Sequence, residues 1–258
     1  MSARAHISFS ELKDWKFCPF YHNLVWVQKL KSFEGNEYTA FGTAIHDTCE
    51  KKLLGETFDE GKHFLASFKK GLNVLEEKSI DLDMSLVEKM IGQGVSLLPD
   101  IAPAVDEYFK EYEVVSTEEQ LYEPIEGVED LRFKGFIDAT IKTPDGKYHI
   151  IDWKTCSWGW DARRRQDPMV TYQLTLYKKY FCAKHNIDPK NVETYFALLK
   201  RTAKNDKVEI FRVTSGARKT ENAFKLLMKA VYNIKNKKTI KNRLSCTKCT
   251  FRKTEHCP

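Results

Sequence analysis

Two candidate strands joined by a strong turn sequence constrain the fold of this chain more than any other feature. Residues 131–142 alternate charged and apolar side chains, which is the pattern of a strand with two different faces. Residues 143–146 are Thr-Pro-Asp-Gly, a typical turn sequence. Residues 147–155 then return through two apolar β-branched residues. The sequence therefore predicts an antiparallel hairpin.

This hairpin is expected to bring acidic and basic side chains together. Side chains alternate between faces along a strand, so Asp152 and Lys154 project on the same side. With the turn closing at the lysines that flank it, Asp138 falls opposite Ile151, one position from Asp152. Two converging carboxylates repel each other unless a cation lies between them. A divalent cation with a lysine beside it suits phosphate chemistry, whereas an isolated acid–lysine pair is a surface ion pair.

Two predicted helices carry further polar side chains that could belong to a functional site. His46 lies on a predicted helix over residues 39–54, upstream of the hairpin. Gln173 and Tyr177 are four residues apart on a predicted helix over residues 168–186, and both can hydrogen-bond a phosphate or order a water. Each is also compatible with an ordinary helix surface, so the order of the segments along the chain carries more information than any one of them.

The order is a helix with G-x-x-x-H, a strand with G-F-I-D, a strand with I-D-W-K-T and a helix with Q-x-x-x-Y. It resembles the RecB-like nucleases of the PD-(D/E)xK superfamily. The resemblance implies an α/β fold with a restriction-endonuclease-like core, a mixed central sheet flanked by helices. It also implies that a metal is bound by His46, Asp138, Asp152 and the backbone carbonyl after the second acid. The family pattern also implies a set of catalytic residues, which includes the two metal-binding acids: Lys154, Asp138, Asp152, Gln173 and Tyr177.

The seven cysteines argue for a reduced protein with a thiolate site. An odd count, no secretory signal pattern and no long apolar run argue against a disulfide scaffold and a membrane span. Cys246, Cys249 and Cys257 crowd one short segment, and C-x-x-C thiolates bind zinc or an iron–sulfur cluster. The fourth ligand is either His256, which gives a local zinc site, or Cys18. The other three cysteines are expected to pack as small apolar residues.

One RecB-like subgroup has the same cysteine arrangement, with a C-P-x-x-Y cysteine near the N-terminus and a C-x-x-C…C trio near the C-terminus. It includes the Cas-four-type CRISPR-adaptation nucleases and the nuclease domain of the AddB helicase subunit. The resemblance implies a [4Fe–4S] cluster, with Zn²⁺ as the alternative. The ligands implied are Cys18, Cys246, Cys249 and Cys257. Such a cluster would tie distant parts of the chain together and restrict the unfolded state.

Charge and aromatic residues near the hairpin suggest contact with a polyanion. The net charge is a modest +6, but Arg163, Arg164 and Arg165 follow the second strand directly. Trp158 and Trp160 stand in the intervening loop, where they could stack on unpaired bases or belong to the core. A basic run suits a nucleic acid and is equally compatible with a solvated surface.

The 258 residues, 42% of them hydrophobic, suit a single nuclease domain, residues 1–258. Within it we expect a helical lobe over about 56–113, a nuclease core over about 31–55 and 114–236, and cluster-binding ends over about 8–30 and 237–258. A further helix is expected over 8–30, interrupted near Pro19, and others over 59–78, 84–112 and 216–236, of which 84–112 is expected to break around Pro99 and Pro103. Strands are expected over 114–124, 131–142, 147–155, 192–200 and 207–213.

These observations and the resemblance together predict a metal-dependent DNA nuclease. We expect an exonuclease acting on single strands or DNA ends in recombination, repair or CRISPR spacer processing. Its ion would be Mg²⁺ or Mn²⁺, with the imidazole favouring Mn²⁺, and Glu50 and Glu119 are reserve acids. The expected partners are DNA and a helicase or integrase, and the expected location is the cytoplasm of a prokaryotic, archaeal or virus-infected cell. The alternatives are a non-catalytic nucleic-acid-binding protein with the same fold, or a zinc-tail interaction module.

Overall fold

The structure of the protein is a computed structural model that describes residues 5–30 and 33–258. The expected starts of the domain at residue 1 and of the nuclease core at residue 31 therefore lie outside the described residues. No helix in the described part of the chain is long and apolar enough to cross a membrane.

A six-stranded mixed sheet forms the centre of the described structure. Its strands are β1 (His6–Ser8), β2 (Glu113–Ile125), β3 (Val128–Lys142), β4 (Tyr148–Cys156), β5 (Val192–Lys200) and β6 (Val208–Val213). The pairs β1–β3 and β4–β5 are parallel, whereas β2–β3, β3–β4 and β5–β6 are antiparallel. Helices flank both faces, which confirms the predicted fold class.

The helices follow the expected periodic segments closely. They are α1 (Phe9–Phe17), α2 (Pro19–His22), α3 (Glu37–Leu53), α4 (Glu60–Glu77), α5 (Met84–Phe109), α6 (Ala162–Gln166), α7 (Pro168–His185) and α8 (Ala217–Lys235). A π-helical turn covers Asn23–Val27, and 3₁₀ turns cover Pro189–Asn191 and Arg243–Lys248. Side-chain caps set the starts: the Ser8 hydroxyl accepts from the Glu11 N–H, and Asn36 and Thr39 form a reciprocal capping box.

The central strands are buried on both faces. Ile150 belongs to the core between the sheet and α1, α7 and α8. Ile151 and Trp153 belong to the core on the other face, which α3, α4 and α5 complete. Alternation along β4 thus separates the two cores, and the apolar residues beside Asp152 point away from it as expected.

Helix α5 does not break at its prolines, contrary to the sequence prediction. Pro99 and Pro103 are both exposed, whereas Leu97, Ile101 and Val105 are buried. A proline cannot donate to the carbonyl four residues earlier, so both lost hydrogen bonds fall on the solvent side. There water can satisfy the freed carbonyls, and the packed apolar face keeps the helix continuous.

The hairpin register differs by one residue from the prediction. Ala139 pairs with Ile151 and Lys142 pairs with Tyr148, so Asp138 lies across from Asp152 rather than from Ile151. The cause is the closing pair of the turn: the Thr143 N–H donates to the Lys147 carbonyl at 3.0 Å, so the loop holds three residues, 144–146, rather than the expected four. The shift brings the two acids closer than the predicted register would.

Candidate active site

A gap along β3 forms the centre of the candidate site. Strand β2 pairs with β3 along its whole length and occupies one edge. The other edge is shared, since β1 pairs with residues 132–134 and β4 with residues 139–142. Residues 135–138, the predicted G-F-I-D motif, lie between them, where β4 has separated from β3. Backbone groups at such a break need other partners.

Asp138 supplies one of those partners. The Trp153 N–H donates to Asp138 Oδ2 at 2.8 Å, which replaces the ladder hydrogen bond that would follow in a continuous pair. His46 Nδ1, from the middle of α3, lies 3.6 Å from the same oxygen. The imidazole also has a hydrogen bond to the Trp153 backbone. These contacts place the first acid, the helix histidine and the residue after the second acid together.

Asp152 and Lys154 project into the same region from β4. Their Oδ2 and Nζ atoms are 2.5 Å apart, and the Asp152 side chain is only 2% exposed. Burial raises the pKa of Asp152 to about 6, with Asp138 adding to the effect and Lys154 opposing it. Burial alone would lower the pKa of Lys154, but the two aspartates more than offset it and raise it. The lysine is therefore a fixed cation at neutral pH.

Burial also sets the charges of the other two groups. It raises the pKa of Asp138 to about 6, although Lys154 and the Trp153 N–H oppose it. Burial and then the Lys154 charge lower the pKa of His46 to about 4. At pH 7 the site therefore holds two carboxylates, a neutral imidazole with a free lone pair and one ammonium.

Glu118 is an acid of this site that the sequence analysis missed. One nitrogen of His46 and one oxygen each of Glu118 and Asp138 lie within 4.8 Å of one another. Of the two expected reserve acids, Glu119 binds Lys184 at 2.7 Å. Glu50 accepts from the Thr117 hydroxyl at 3.2 Å and lies close enough to Glu118 for its charge, after burial, to raise the pKa of Glu118. Glu118 has φ +46°, at an irregular point of β2. Strand alternation could not tell which of the two adjacent glutamates faces the site.

The donor set fits a divalent cation. Ligand atoms about 2.0–2.3 Å from one ion lie up to roughly 4.5 Å from each other, so the three atoms near His46 can share one ion after small shifts. Nitrogen and carboxylate ligands suit Mn²⁺ and, less well, Mg²⁺. Asp152 is not among these three groups, and one of its two oxygens, Oδ2, lies 2.5 Å from Lys154 Nζ.

Gln173 and Tyr177 lie over the gap on one face of α7, where Gln173 Nε2 donates to the Tyr177 hydroxyl at 3.3 Å. Tyr177 is buried, and burial and then Asp152 raise its pKa to about 12. Its ring needs Gly135 beneath it: a Cβ at this position would lie 2.6 Å from the ring. Gly42 likewise allows α3 to approach β4, since its Cβ would lie 3.3 Å from Thr155 Oγ1.

The predicted nucleic-acid-binding residues separate into two groups. Trp158 is 70% exposed, and Arg163 lies on the surface of α6. Trp160 is 7% exposed and packs against the core, so burial rules out base stacking there and corrects that assignment. Arg164 stacks on the Trp160 ring at 4.6 Å.

Arg165, the last arginine of the run, forms contacts within the protein. Arg165 donates to the Trp160 carbonyl at 2.8 Å and pairs with Glu209 at 2.5 Å. Its guanidinium is therefore already engaged within the protein.

The four predicted cluster ligands line one pocket between the two ends of the described chain. They are Cys18, Cys246, Cys249 and Cys257. The Asn242 N–H donates to Cys18 Sγ at 3.2 Å, and the Asn242 side chain donates to the Phe17 carbonyl at 2.8 Å. His256, the alternative zinc ligand, does not line this pocket.

The remaining cysteines lie apart from that pocket. Cys49 and Cys182 are buried in the two cores, and Cys156 packs at the edge of one of them.

Comparison with known proteins agrees with this geometry. Residues 6–257 match the sequence profile of the PD-(D/E)XK nuclease superfamily, so the chain belongs to that superfamily. A crystal structure from Eubacterium rectale, named as a candidate exonuclease, is 14% identical, with a TM-score of 0.57 over 90% of this chain and 82% of that chain. The crystal structure of SSO0001 is 13% identical, with a TM-score of 0.37 over 94% of this chain and 93% of that chain. No protein of curated function matches the chain in sequence.

Proposed function

We propose that this member of the PD-(D/E)XK nuclease superfamily is a metal-dependent deoxyribonuclease that acts on single strands or DNA ends. The superfamily supports phosphodiester hydrolysis. The observation that carries the proposal is the meeting of His46, Asp138, Asp152 and Lys154 at the gap in β3. An ordinary structural ion pair between Asp152 and Lys154 would not need a neutral imidazole and the further carboxylate of Asp138 beside it.

The metal ligands in this proposal are His46, Asp138 and Asp152, with Glu118 added by the structure. A bound Mg²⁺ or Mn²⁺ supplies Lewis-acid chemistry: it lowers the pKa of water and neutralises charge on the phosphate. The His46 imidazole has two neighbours that orient it, the Asp138 carboxylate at 3.6 Å and the Trp153 backbone.

Lys154 is assigned the role of catalytic lysine. Its ammonium is held by Asp152 and partly exposed, so it can donate to a phosphate oxygen or orient an attacking water. Gln173 and Tyr177, which are joined by a hydrogen bond on α7, would position the scissile strand. Because the Tyr177 pKa is high, its hydroxyl donates rather than ionises.

The surface just beyond β4 supports a preference for single strands or ends. Trp158 presents an exposed indole just beyond β4, and a base can stack on it without sequence preference. Arg163 lies on the same connection and can contact the backbone. The Eubacterium rectale neighbour named as a candidate exonuclease supports action from an end.

The cysteine pocket is proposed to hold a [4Fe–4S] cluster. The support for a cluster is that Cys18 and the three cysteines of the C-terminal segment line one pocket, as the resemblance to the iron–sulfur subgroup implies.

The cellular role follows from the same resemblance. We propose DNA processing in recombination, repair or CRISPR spacer acquisition, in the cytoplasm of a prokaryotic, archaeal or virus-infected cell, with a helicase or integrase as partner. The two alternatives are a non-catalytic nucleic-acid-binding protein and a zinc-tail interaction module. The acid–lysine constellation disfavours the first, and the inclusion of Cys18 in the pocket disfavours the second.

One assay separates these functions. Protein purified without oxygen is incubated with end-labelled single-stranded, double-stranded and circular DNA, in Mn²⁺, in Mg²⁺ and in EDTA. We expect metal-dependent loss of linear single strands and intact circles. Binding without cleavage under every condition would leave the non-catalytic alternative, and cleavage of circles would replace an exonuclease by an endonuclease.

A further inference from the structure

The helical layer over one face of the sheet ends beside Asp138. The core that α3, α4 and α5 complete on that face includes Ala139 and Ile141 of β3 and, among the described residues, none earlier on this strand. Phe133 and Ile137 belong to the core on the opposite face. The residues that alternate with these two therefore point to the side that no helix covers. This part of the sheet, where β3 pairs with β2 and β1, is called the open face below.

The open face is built from alternate residues of three strands. Directly paired residues of neighbouring strands share a face, so the register of β3 with β2 and β1 defines its members. They are His6, Gln120, Tyr122, Arg132, Lys134 and Phe136. Two of them are large aromatic side chains that remain accessible, since Phe136 is 43% and Tyr122 37% exposed.

Each of these aromatic rings lies beside a cation of the same face. The Arg132 guanidinium lies 5.5 Å from the centroid of the Tyr122 ring, and the Lys134 ammonium lies 5.8 Å from that of Phe136. Tyr122 pairs with Lys134, so the two rings are diagonal neighbours across the strands, roughly 7–8 Å apart. Unpaired bases stack on aromatic rings and on arginine planes, and this spacing suits successive bases of one strand.

The charge of the open face is entirely positive. Among the described residues, none forms an ion pair with Arg132 or Lys134; the arginine donates only to the Tyr122 carbonyl, at 3.3 Å. The carboxylates begin at Glu118 and Asp138, which belong to the candidate metal site. A phosphate backbone can therefore lie along this face without meeting an acid until it reaches the candidate active site.

We propose that the open face binds unpaired nucleotides of the substrate strand, on one side of the scissile phosphate. Bases stack on Tyr122 and Phe136, and phosphates lie against Arg132 and Lys134. Arg132 is six residues from Asp138 along β3, so the binding surface extends about 20 Å from the candidate active site. The assignment of the bound strand as substrate rests on the proposed nuclease function, whereas binding itself needs neither metal nor cleavage.

A single strand fits this face better than a duplex does. In a duplex each base is covered by its neighbours, so exposed rings such as Phe136 gain no stacking from it. A site for a duplex backbone would need cations alone, whereas here each cation is matched by a ring. The repeated ring and cation are the combination that binds single strands without sequence preference.

Fluorescence anisotropy in EDTA tests the stacking without any cleavage. The probes are an end-labelled strand of about twelve thymidines and a labelled blunt duplex. Tyr122→Leu and Phe136→Leu remove the rings but keep apolar bulk, and each should weaken single-strand binding about fivefold or more, with duplex binding unchanged. Tyr232→Leu is the matched control, because this tyrosine of α8 is 57% exposed with the Lys238 ammonium 4.6 Å from its ring. It should bind normally.

The salt dependence of binding tests the phosphate contact separately. Lys134→Gln should lower the slope of the logarithm of the association constant against that of salt concentration by roughly 0.7, the value for one phosphate contact on a single strand. A variant that only disturbed the fold would leave this slope unchanged. Lys142→Gln, at the other end of β3, removes the same charge and should keep the wild-type slope.

Cross-linking of the wild-type protein needs no substitution. A thymidine strand carrying iodouracil is irradiated in EDTA, and the cross-linked peptides are identified by mass spectrometry. We expect cross-links at Tyr122 and Phe136. Cross-links only at other residues, equal single-strand affinity in the variant lacking both rings, or an unchanged salt slope for Lys134→Gln would each overturn the proposal.

These measurements also separate this surface from the proposed nuclease activity. A protein that binds single strands through the open face but never cleaves them in Mn²⁺ would retain the binding surface and lose the nuclease function. Metal-dependent cleavage together with full affinity in the Tyr122→Leu, Phe136→Leu double variant would give the reverse result.

Discussion

The Trp153 N–H donates to the Asp138 carboxylate at 2.8 Å, at the point where β3 and β4 stop pairing. Asp138 thus has a structural role, because it accepts from a backbone N–H that has no partner in the neighbouring strand, and a chemical role beside His46. One side chain therefore links the shape of the sheet to the position of the candidate metal ligands.

This dual role makes Asp138→Asn an informative substitution. The amide oxygen can still accept from the Trp153 N–H, but the charge is lost. We expect DNA cleavage to fall at least ~100-fold while the metal-free melting temperature is kept or raised, because a buried charge has been removed. Asp145→Asn in the exposed hairpin turn is the control and should cleave normally. Full activity of Asp138→Asn would show that this carboxylate is not a ligand.

Lys154→Ala should separate binding from chemistry. Loss of the ammonium removes a positioned donor to the phosphate, so we expect cleavage to fall about 10²–10³-fold with DNA binding retained. It also leaves Asp152 buried and unpaired, which should cost about 3–5 kcal/mol of stability in the metal-free protein.

Gel shift, single-turnover cleavage and thermal melting measure these three effects of Lys154→Ala. Lys142→Ala, at the far end of the same hairpin, is the comparison variant. Undiminished metal-dependent digestion by Lys154→Ala would remove the lysine from the mechanism.

The raised pKa values of Asp138 and Asp152 predict how metal stabilisation depends on pH. Both pKa values are raised to about 6 in the folded state, so the folded protein binds protons at these groups more tightly than the unfolded chain does. The stabilisation that results is fully present below about pH 4 and is lost as the pH rises through 6. An ion that offsets the two charges should therefore stabilise the protein most above pH 6.

Thermal melts with Mn²⁺ and with EDTA, at about pH 7.5 and about pH 5, measure this dependence. Saturating Mn²⁺ should raise the melting temperature at the higher pH and much less at the lower pH. At a hundredfold excess of Mn²⁺ over its dissociation constant, the added free energy of unfolding at the higher pH is about 3 kcal/mol. An equal shift at both values would place the ion elsewhere. Asp138→Asn should abolish the shift.

Gly135→Ala tests the packing of the G-F-I-D motif against the Q-x-x-x-Y helix. The new Cβ would lie 2.6 Å from the Tyr177 ring, so the ring must move. We expect a loss of about 1–3 kcal/mol of stability, together with reduced cleavage, because the tyrosine leaves its place over the gap. Combination with Tyr177→Leu should recover stability but not activity.

Gly92→Ala is the matched control for Gly135→Ala. This glycine lies in α5 with no atom within 4 Å of its Cβ position. The substitution should stabilise the helix by about 0.5–1 kcal/mol. An unchanged melting temperature for Gly135→Ala would mean that the close contact does not restrain Tyr177.

Cys18→Ala tests the thiolate pocket. We expect loss of the visible iron–sulfur absorption and a lower melting temperature, because this residue joins two segments far apart in sequence. Cys156→Ala, outside the pocket, should keep both properties. A colourless wild-type protein containing stoichiometric zinc would establish the alternative metal instead.

The fold could be predicted well from alternation and helical spacing, because those patterns are set by local geometry. The limits of β3, β4, α3 and α7 agree with expectation to within a few residues. The hairpin register was wrong by one position, because the loop closes one residue later than the Pro-Asp-Gly turn alone suggests. The expected break in α5 was wrong because both prolines lie on its exposed side.

Other features depend on tertiary contacts that no local pattern encodes. Glu118 rather than Glu119 meets His46 because of a local irregularity with φ +46° in β2. Trp158 and Trp160 lie two residues apart in one loop, yet one is 70% and the other 7% exposed. In both cases neighbouring residues of the same type differ only in what packs against them.

The pocket that joins Cys18 to the Cys246–Cys257 segment has a consequence for biosynthesis. Its two walls are 224 residues apart at the Cys18–Asn242 contact, so during translation the first wall exists long before the second. A polypeptide that ends before Cys246 contains the whole β3–β4 hairpin but lacks one wall of the cysteine pocket. Closure of this pocket therefore requires that the segment from Cys246 to Cys257 has been synthesised and has folded back onto Cys18.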